Sequence, residues 1–198
     1  MRLNEARRDL YRRLAREQGY KSRAAFKLLE ANERYRFLGR GKRVLDFGSS
    51  PGGWLQVASE EVGPEGLVVG VDISPIRVKG NNIVSMKMNV NDPGFAAKAA
   101  DALKGKADVF LSDLAPDVSG VWELDQTRQM DLTMKVLELA PALLKAGGCL
   151  FCKLFDAEGS QAIRDELRAR FESVRVIKPA ASRRAASELY YFCDGLRP

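Results

Sequence analysis

The sequence predicts an α/β fold: a seven-stranded, mostly parallel sheet whose last strand runs antiparallel, with helices on both faces. Three observations predict it. From residue 42 onward, short β-rich runs alternate with longer segments of helical character, the pattern of repeated βαβ units. The central runs are nearly continuous in Val, Leu, Phe and Cys, as strands covered on both faces must be. The last two runs, SVRVIK and ELYYFC, have no helical segment between them, so the seventh strand is expected to return antiparallel beside the sixth.

Each element follows from its own signal. Residues 1–36 read as two helices broken at Gly19, with Ser22 as candidate N-cap of the second, and nothing requires either to pack as core. RVLDF is the first strand and leads to a helix from about Trp54; LVVGV is the second, followed by a short turn; IVSMKM is the third, followed by a helix over FAAKAADALK. DVFLSD then precedes a long helix over about 125–145, and CLFCKLF precedes a helix over about 159–171. No repeat, low-complexity tract or linker interrupts the chain, so one domain is expected over 1–198, with a basic helical arm over about 1–36.

Composition narrows the function. Hydrophobic residues make up 45% and charged residues 29% of the 198, which argues against a disordered or collagen-like chain. No apolar run approaches a membrane span, and the N-terminus carries charges where a signal peptide needs its apolar stretch, so a cytoplasmic monomer with no membrane partner is the expectation. The absence of histidine excludes imidazole-based triads, and three cysteines leave no structural zinc site, so no metal is expected. Proton transfer must use Lys, Asp, Glu or Tyr. Cys149 and Cys152 form a C-x-x-C inside an apolar strand, where residues three apart point to opposite faces; they read as buried thiols.

The net charge of +6 is unevenly placed. Residues 1–43 carry 14 Lys or Arg against 5 Asp or Glu, and the rest carry 18 against 21. A cationic arm bearing Arg7, Arg8, Arg12, Arg13 and Arg16 on a mildly acidic body suits a nucleic-acid partner, because neutralising phosphates releases counterions. Arg175, Lys178, Arg183 and Arg184 could extend the same surface.

In an open parallel sheet, ligands bind beyond the carboxyl ends of the strands, where strand order reverses. Those ends carry Asp46 to Trp54, Asp72, Asn89, Asp113 to Pro116, and Lys153 to Asp156. The turn DFGSSPGGW lets backbone approach a ligand closely, but its glycines do not fit G-x-G-x-x-G and Pro51 removes an N–H that a diphosphate would want. Asp72, 24 positions after Gly48, stands where a carboxylate accepts hydrogen bonds from ribose hydroxyls, although it also suits the turn before Ser74. Together these favour S-adenosylmethionine over NAD. Asp113 can sit beside a sulfonium or ammonium, or cap its own turn. Lys153 lies in an otherwise apolar strand, so its amine must be ion-paired, open to a cleft, or partly neutral and thus a base.

Five blocks in order carry a resemblance: YKSRAAFKL (20–28), DFGSSPGGW (46–54), SDLAPDVSG (112–120), CKLF (152–155) and KPAASRRAASELYYFC (178–193). Over residues of about 20–198 the chain resembles the FtsJ/RrmJ family of ribosomal RNA ribose 2′-O-methyltransferases, a Rossmann-like class I methyltransferase fold. The resemblance implies a catalytic set of Lys27, Asp113, Lys153 and Glu188. It also implies donor contacts from Gly52, Trp54, Asp72, Asn89 and Asp113, with Asn89 standing where the family usually has aspartate. The implied cofactor is S-adenosylmethionine, and the implied partner is ribosomal RNA or the large ribosomal subunit, with a uridine of 23S RNA as target. Within this reading Lys153 takes the hydroxyl proton, Lys27 acts as a neighbouring cation or phosphate contact, Glu188 orients a lysine or the hydroxyl, and Asp113 orients Lys153 although its charge opposes deprotonation. Transfer RNA as substrate, a non-catalytic ribosome-assembly factor, and an NAD-dependent oxidoreductase are the alternatives; the last is disfavoured by the glycine spacing.

Overall fold

A computed structural model describes residues 2–117, 119–155, 159–182 and 188–198, with side chains from residue 10 onward. Two helices, α1 (Arg2–Glu17) and α2 (Ala25–Tyr35), precede the sheet. There follow β1 (Arg43–Phe47), α3 (Gly53–Val62), β2 (Leu67–Asp72), β3 (Ile83–Lys87), α4 (Phe95–Leu103), β4 (Ala107–Ser112), α5 (Trp122–Leu143), β5 (Leu144–Phe155), α6 (Ser160–Arg170), β6 (Phe171–Ile177) and β7 (Glu188–Leu196). The strand order is β3-β2-β1-β4-β5-β7-β6. It reverses between β1 and β4, so a crevice opens there at the carboxyl ends of the strands.

The sheet separates two apolar clusters because successive strand residues point to opposite faces. Leu45, Phe47, Phe110, Leu150 and Cys152 pack against α4, α5 and α6 on one side. Val44, Val109, Leu111, Phe151 and Phe192 pack against α2 and α3 on the other. Each fully buried Val, Leu or Phe contributes roughly 1.5–3 kcal/mol. Cys149 and Cys152 fall into different clusters, as their spacing predicts, and burial pushes both thiols up to about 12.

Several local expectations are corrected. The second helix does pack as core: Ala25, Leu28 and Ala31 are buried against α3 and the sheet. Its N-cap is Ala24, without a side-chain capping bond; Ser22 offers its carbonyl to the Ala25 N–H at 3.3 Å, while its hydroxyl occupies space that a side chain at Gly53 would need. The fifth helix starts at Trp122, earlier than its periodicity suggests, because the Asp125 carboxylate accepts bonds from the Ser119 N–H (2.9 Å) and hydroxyl (2.7 Å) and braces the entering loop. The fifth strand begins at once after it, at Leu144, through a KAGG segment with no strand signature. Finally, β7 lies beside β6 as expected but also inserts between β6 and β5, antiparallel to both.

That insertion positions the site. Antiparallel pairing sets Tyr190 opposite Lys153 and Glu188 opposite Phe155, so one sheet face at this edge carries all four side chains. Parallel pairing sets Ser112 beside Cys152, which brings Asp113 to the same place.

Candidate active site

Four charged residues and one tyrosine form a continuous chain of contacts at the ends of β4, β5 and β7. Lys27, on the buried side of α2, lies 3.0 Å from Glu188 Oε1 and donates to the Tyr190 hydroxyl at 2.7 Å. The Tyr190 hydroxyl donates in turn to Asp113 Oδ1 at 2.9 Å. Lys153 Nζ donates to the Asp113 carbonyl at 3.0 Å and lies 3.2 Å from its Oδ1. Lys27 and Lys153 are each only 6% exposed, so their ammonium groups depend on these partners. Two ammonium groups and two carboxylates alternate around a neutral phenol, and the set balances.

The electrostatics follow from the contacts. Burial pushes the Asp113 carboxyl up, but the ammonium groups of Lys153 and Lys27 and the Tyr190 hydrogen bond outweigh it and hold the group below the ordinary aspartate value. Burial, with the charges of Asp113 and Glu188, drives the Tyr190 phenol well above its ordinary value, which keeps it a hydroxyl. Sequence reasoning alone does not single out Tyr190, because YY reads as strand aromatics. The available signal is that a buried tyrosine hydroxyl requires a partner. Gln129 escapes the sequence pattern too. Buried on α5, it extends the sheet where β4 has ended: its Nε2 donates to the Lys153 carbonyl at 2.9 Å and its Oε1 accepts from the Phe155 N–H at 3.3 Å.

Beside this set, a cavity of about 620 Å³ opens over the switch point. Asp72, Asn89 and Asp113 line it, with Ile73, Val90 and Leu114 as apolar wall. Asp117 and Asp131 add further carboxylates, and Arg128 adds a cation. Behind the wall, Asp46 is fully buried, with neither carboxyl oxygen hydrogen-bonded within 3.5 Å among the described residues; burial, opposed by the nearby Ser49 hydroxyl and reinforced by the charges of Asp113 and Asp72, pushes it up to about 8. Such a cavity disfavours the diphosphate of a dinucleotide and suits a cationic ligand with an apolar ring. S-adenosylmethionine, with sulfonium, ammonium and adenine, fits that donor set, and the volume suits a small cofactor.

The glycine turn closes one end. Gly48, at φ +77°, brings its Cα close to the Leu114 backbone, where an added Cβ would stand 3.1 Å from Leu114 Cα. Asp72 holds the turn as well as lining the cavity: its Oδ2 accepts from the Ser50 N–H at 2.9 Å and its Oδ1 from the Ser74 N–H at 2.7 Å. Asn89 Oδ1 accepts from the Asn91 N–H at 3.0 Å. Gly48 and Ser50, not Gly52 and Trp54, face the cavity from the turn. The Trp54 ring is committed elsewhere: its N–H donates to the Ala24 carbonyl at 2.8 Å and its centroid lies 5.3 Å from that of Phe151. Only the backbone of Gly52 and Trp54 remains for a ligand.

The basic arm is attached rather than free. The Tyr11 and Phe26 rings meet at 5.4 Å, and Ala15 is buried, while Arg12, Arg13 and Arg16 reach solvent. Arg175, in contrast, places its guanidinium 5.6 Å from the Tyr35 ring on the outer strand. Arg183, Arg184 and the side chains of Arg7 and Arg8 lie outside the described residues.

A switch-point cavity on a Rossmann-like sheet with an amine set at its rim defines a methyltransferase. More narrowly, the chain belongs to the FtsJ-like methyltransferase family, which matches residues 20–196. It is 42% identical over 197 residues to Ribosomal RNA large subunit methyltransferase E of Cenarchaeum symbiosum, covering 100% of both chains. The protein of the same name from Methanothermobacter thermautotrophicus is 41% identical over 189 residues, covering 94% of this chain and 89% of that one. A solved structure of a ribosomal RNA methyltransferase from Plasmodium falciparum superposes with a TM-score of 0.78 at 25% identity, covering 89% of this chain and 98% of that one. Fibrillarin, the pre-rRNA processing protein of Methanococcus jannaschii, shares the fold at a TM-score of 0.59 and 14% identity, covering 82% of this chain and 70% of that one.

Proposed function

We propose that the chain transfers a methyl group from S-adenosylmethionine to a ribose 2′-hydroxyl of large-subunit ribosomal RNA, with a uridine as target. The observation that carries this reading is the linked set of Lys153, Asp113, Tyr190, Lys27 and Glu188 at the rim of an acid-lined cavity. The relatives named for large-subunit RNA methylation support the substrate class.

When bound, the donor supplies a methyl carbon already activated by the sulfonium charge. The chain's residues then align the acceptor and manage its proton. Asp72 and Asn89 hold the nucleoside end of the donor, with the glycine turn at Gly48 and Ser50 closing beside it. Asp113, bonded twice to Lys153, fixes the direction of that amine toward the crevice. Lys153 Nζ, once it has released one ammonium proton to solvent, accepts a hydrogen bond from the 2′-hydroxyl and takes its proton. Tyr190 couples Asp113 to Lys27, and Glu188 holds Lys27 in place.

The test is transfer of labelled methyl from S-adenosylmethionine to free ribosomal RNA, isolated large subunits and transfer RNA, followed by alkaline hydrolysis. A 2′-O-methyl group blocks cleavage at its own nucleotide, so the label should appear in alkali-resistant dinucleotides from large-subunit RNA. Label recovered as modified bases in mononucleotides would contradict the hydroxyl chemistry.

A further inference from the structure

At the rim of the same site the fold presents an aromatic surface that donor binding and proton transfer leave unused. Trp122 opens α5 with 57% of its surface exposed, next to exposed Val121 and close to exposed Leu124. Phe155 packs behind it, with ring centroids 5.9 Å apart and planes inclined by 30°. Phe155 shares a face of β5 with Lys153, two residues earlier, and its ring centre lies 5.9 Å from Lys153 Nζ. The loop leading into α5 supplies Pro116 and Asp117 to the cavity wall. The indole is thus open to solvent and one ring away from the Lys153 amine.

We propose that Trp122, backed by Phe155, is the stacking platform for the nucleobase of the nucleotide being methylated. The proposal rests on the 2′-hydroxyl reading above. A ribose carries its base and its 2′-hydroxyl on adjacent carbons, so a hydroxyl held at Lys153 leaves the base within reach of the neighbouring rings. Unpaired RNA bases are commonly held by stacking on aromatic side chains, because every base presents a π face. Phe155 fixes the tilt of the indole from behind and leaves its remaining surface to the incoming base. Such a platform orients the sugar without reading the base edge, so it favours an unpaired, splayed nucleotide over one inside a helix.

The experiment is a double-mutant cycle in methyl transfer. It compares wild-type protein, Trp122→Ala, Trp122→Phe and Trp122→Leu on a short RNA carrying the mapped target nucleotide and on the same RNA with an abasic ribose there. Donor binding measured by calorimetry monitors the fold. On the intact RNA, Trp122→Ala should lower kcat/KM on the order of 10- to 100-fold. Trp122→Phe should recover most of that loss and Trp122→Leu should not, and on abasic RNA the four proteins should converge. The chain has two tryptophans, and the other, Trp54, is buried. Intact RNA should therefore quench the emission of Trp122 more than abasic RNA does. An equal loss on both RNAs would overturn the proposal, as would full recovery by Trp122→Leu. A defect confined to whole ribosomal subunits would overturn it in favour of a protein docking there. Wild-type protein that methylates no RNA would overturn the parent reading along with this one.

Discussion

Tyr190 shows how much a single hydroxyl can organise. It accepts from Lys27 and donates to Asp113, so it joins two ion pairs that would otherwise stand apart. Tyr190→Phe leaves a buried ammonium and a largely buried carboxylate each one partner short. Stability should fall by about 1–3 kcal/mol in denaturant unfolding, and methyl transfer should fall by up to about 100-fold through misplacement of the amine. Donor affinity should change far less, and a parallel loss of both would point to a collapsed site instead. Asp46 makes the opposite kind of prediction. Its folded value near 8 exceeds the unfolded value of about 4. Between those limits the unfolded chain releases a proton that the folded chain keeps, so folding stability drains away as pH rises through this window. Asp46→Asn should remove that slope and raise Tm at pH 8 relative to wild type, while the two proteins should agree more closely near pH 4. Parallel melting curves across this range would show that the carboxyl finds a partner.

Among the elements, α1 and α2 divide between solvent and core. The second helix buries Leu28 in the core and thereby delivers Lys27, whereas the first rests on it through the Tyr11 and Phe26 rings and leaves arginines in solvent. Replacing Arg12, Arg13 and Arg16 with Ala should weaken RNA binding and reduce the salt slope of log K by roughly 0.7–0.9 for each phosphate that is no longer neutralised. An unchanged slope would place the RNA footprint elsewhere. The order of elements is legible because the strands β1, β2, β4 and β5 announce themselves as apolar runs. The packing of α2 is not, since Leu28 is the one large apolar residue among its buried positions Ala25, Lys27, Leu28, Ala31 and Asn32, and its charged positions dominate the pattern. Nor is the start of β5, where residues 145–148 bulge out of the ladder between Leu144, paired with Ala107, and Cys149, paired with Val109, and Gly147 stands at φ +75°. The lysine inside β5 is the clearest local anomaly, and it marks the site. Its partners are beyond reach without β7, whose insertion decides which residues face Lys153.

At the scale of the whole molecule, the carboxyl ends of β1, β2, β4 and β5 converge on one edge, with an acidic cavity over the switch point and the Lys153 network beside it. The basic excess of residues 1–43 sets a cationic arm against a mildly acidic body, and under the proposed function this sorts RNA and methyl donor by charge to different surfaces. The proposed proton transfer rests on the Lys153 amine. The most direct measurement is single-turnover methyl transfer by Lys153→Ala and wild type, with donor and RNA affinities determined on the same preparations. The arrangement predicts a rate reduced by about 100- to 10,000-fold with both affinities nearly intact. A rate within a few fold of wild type, or a matching collapse of donor binding, would contradict it.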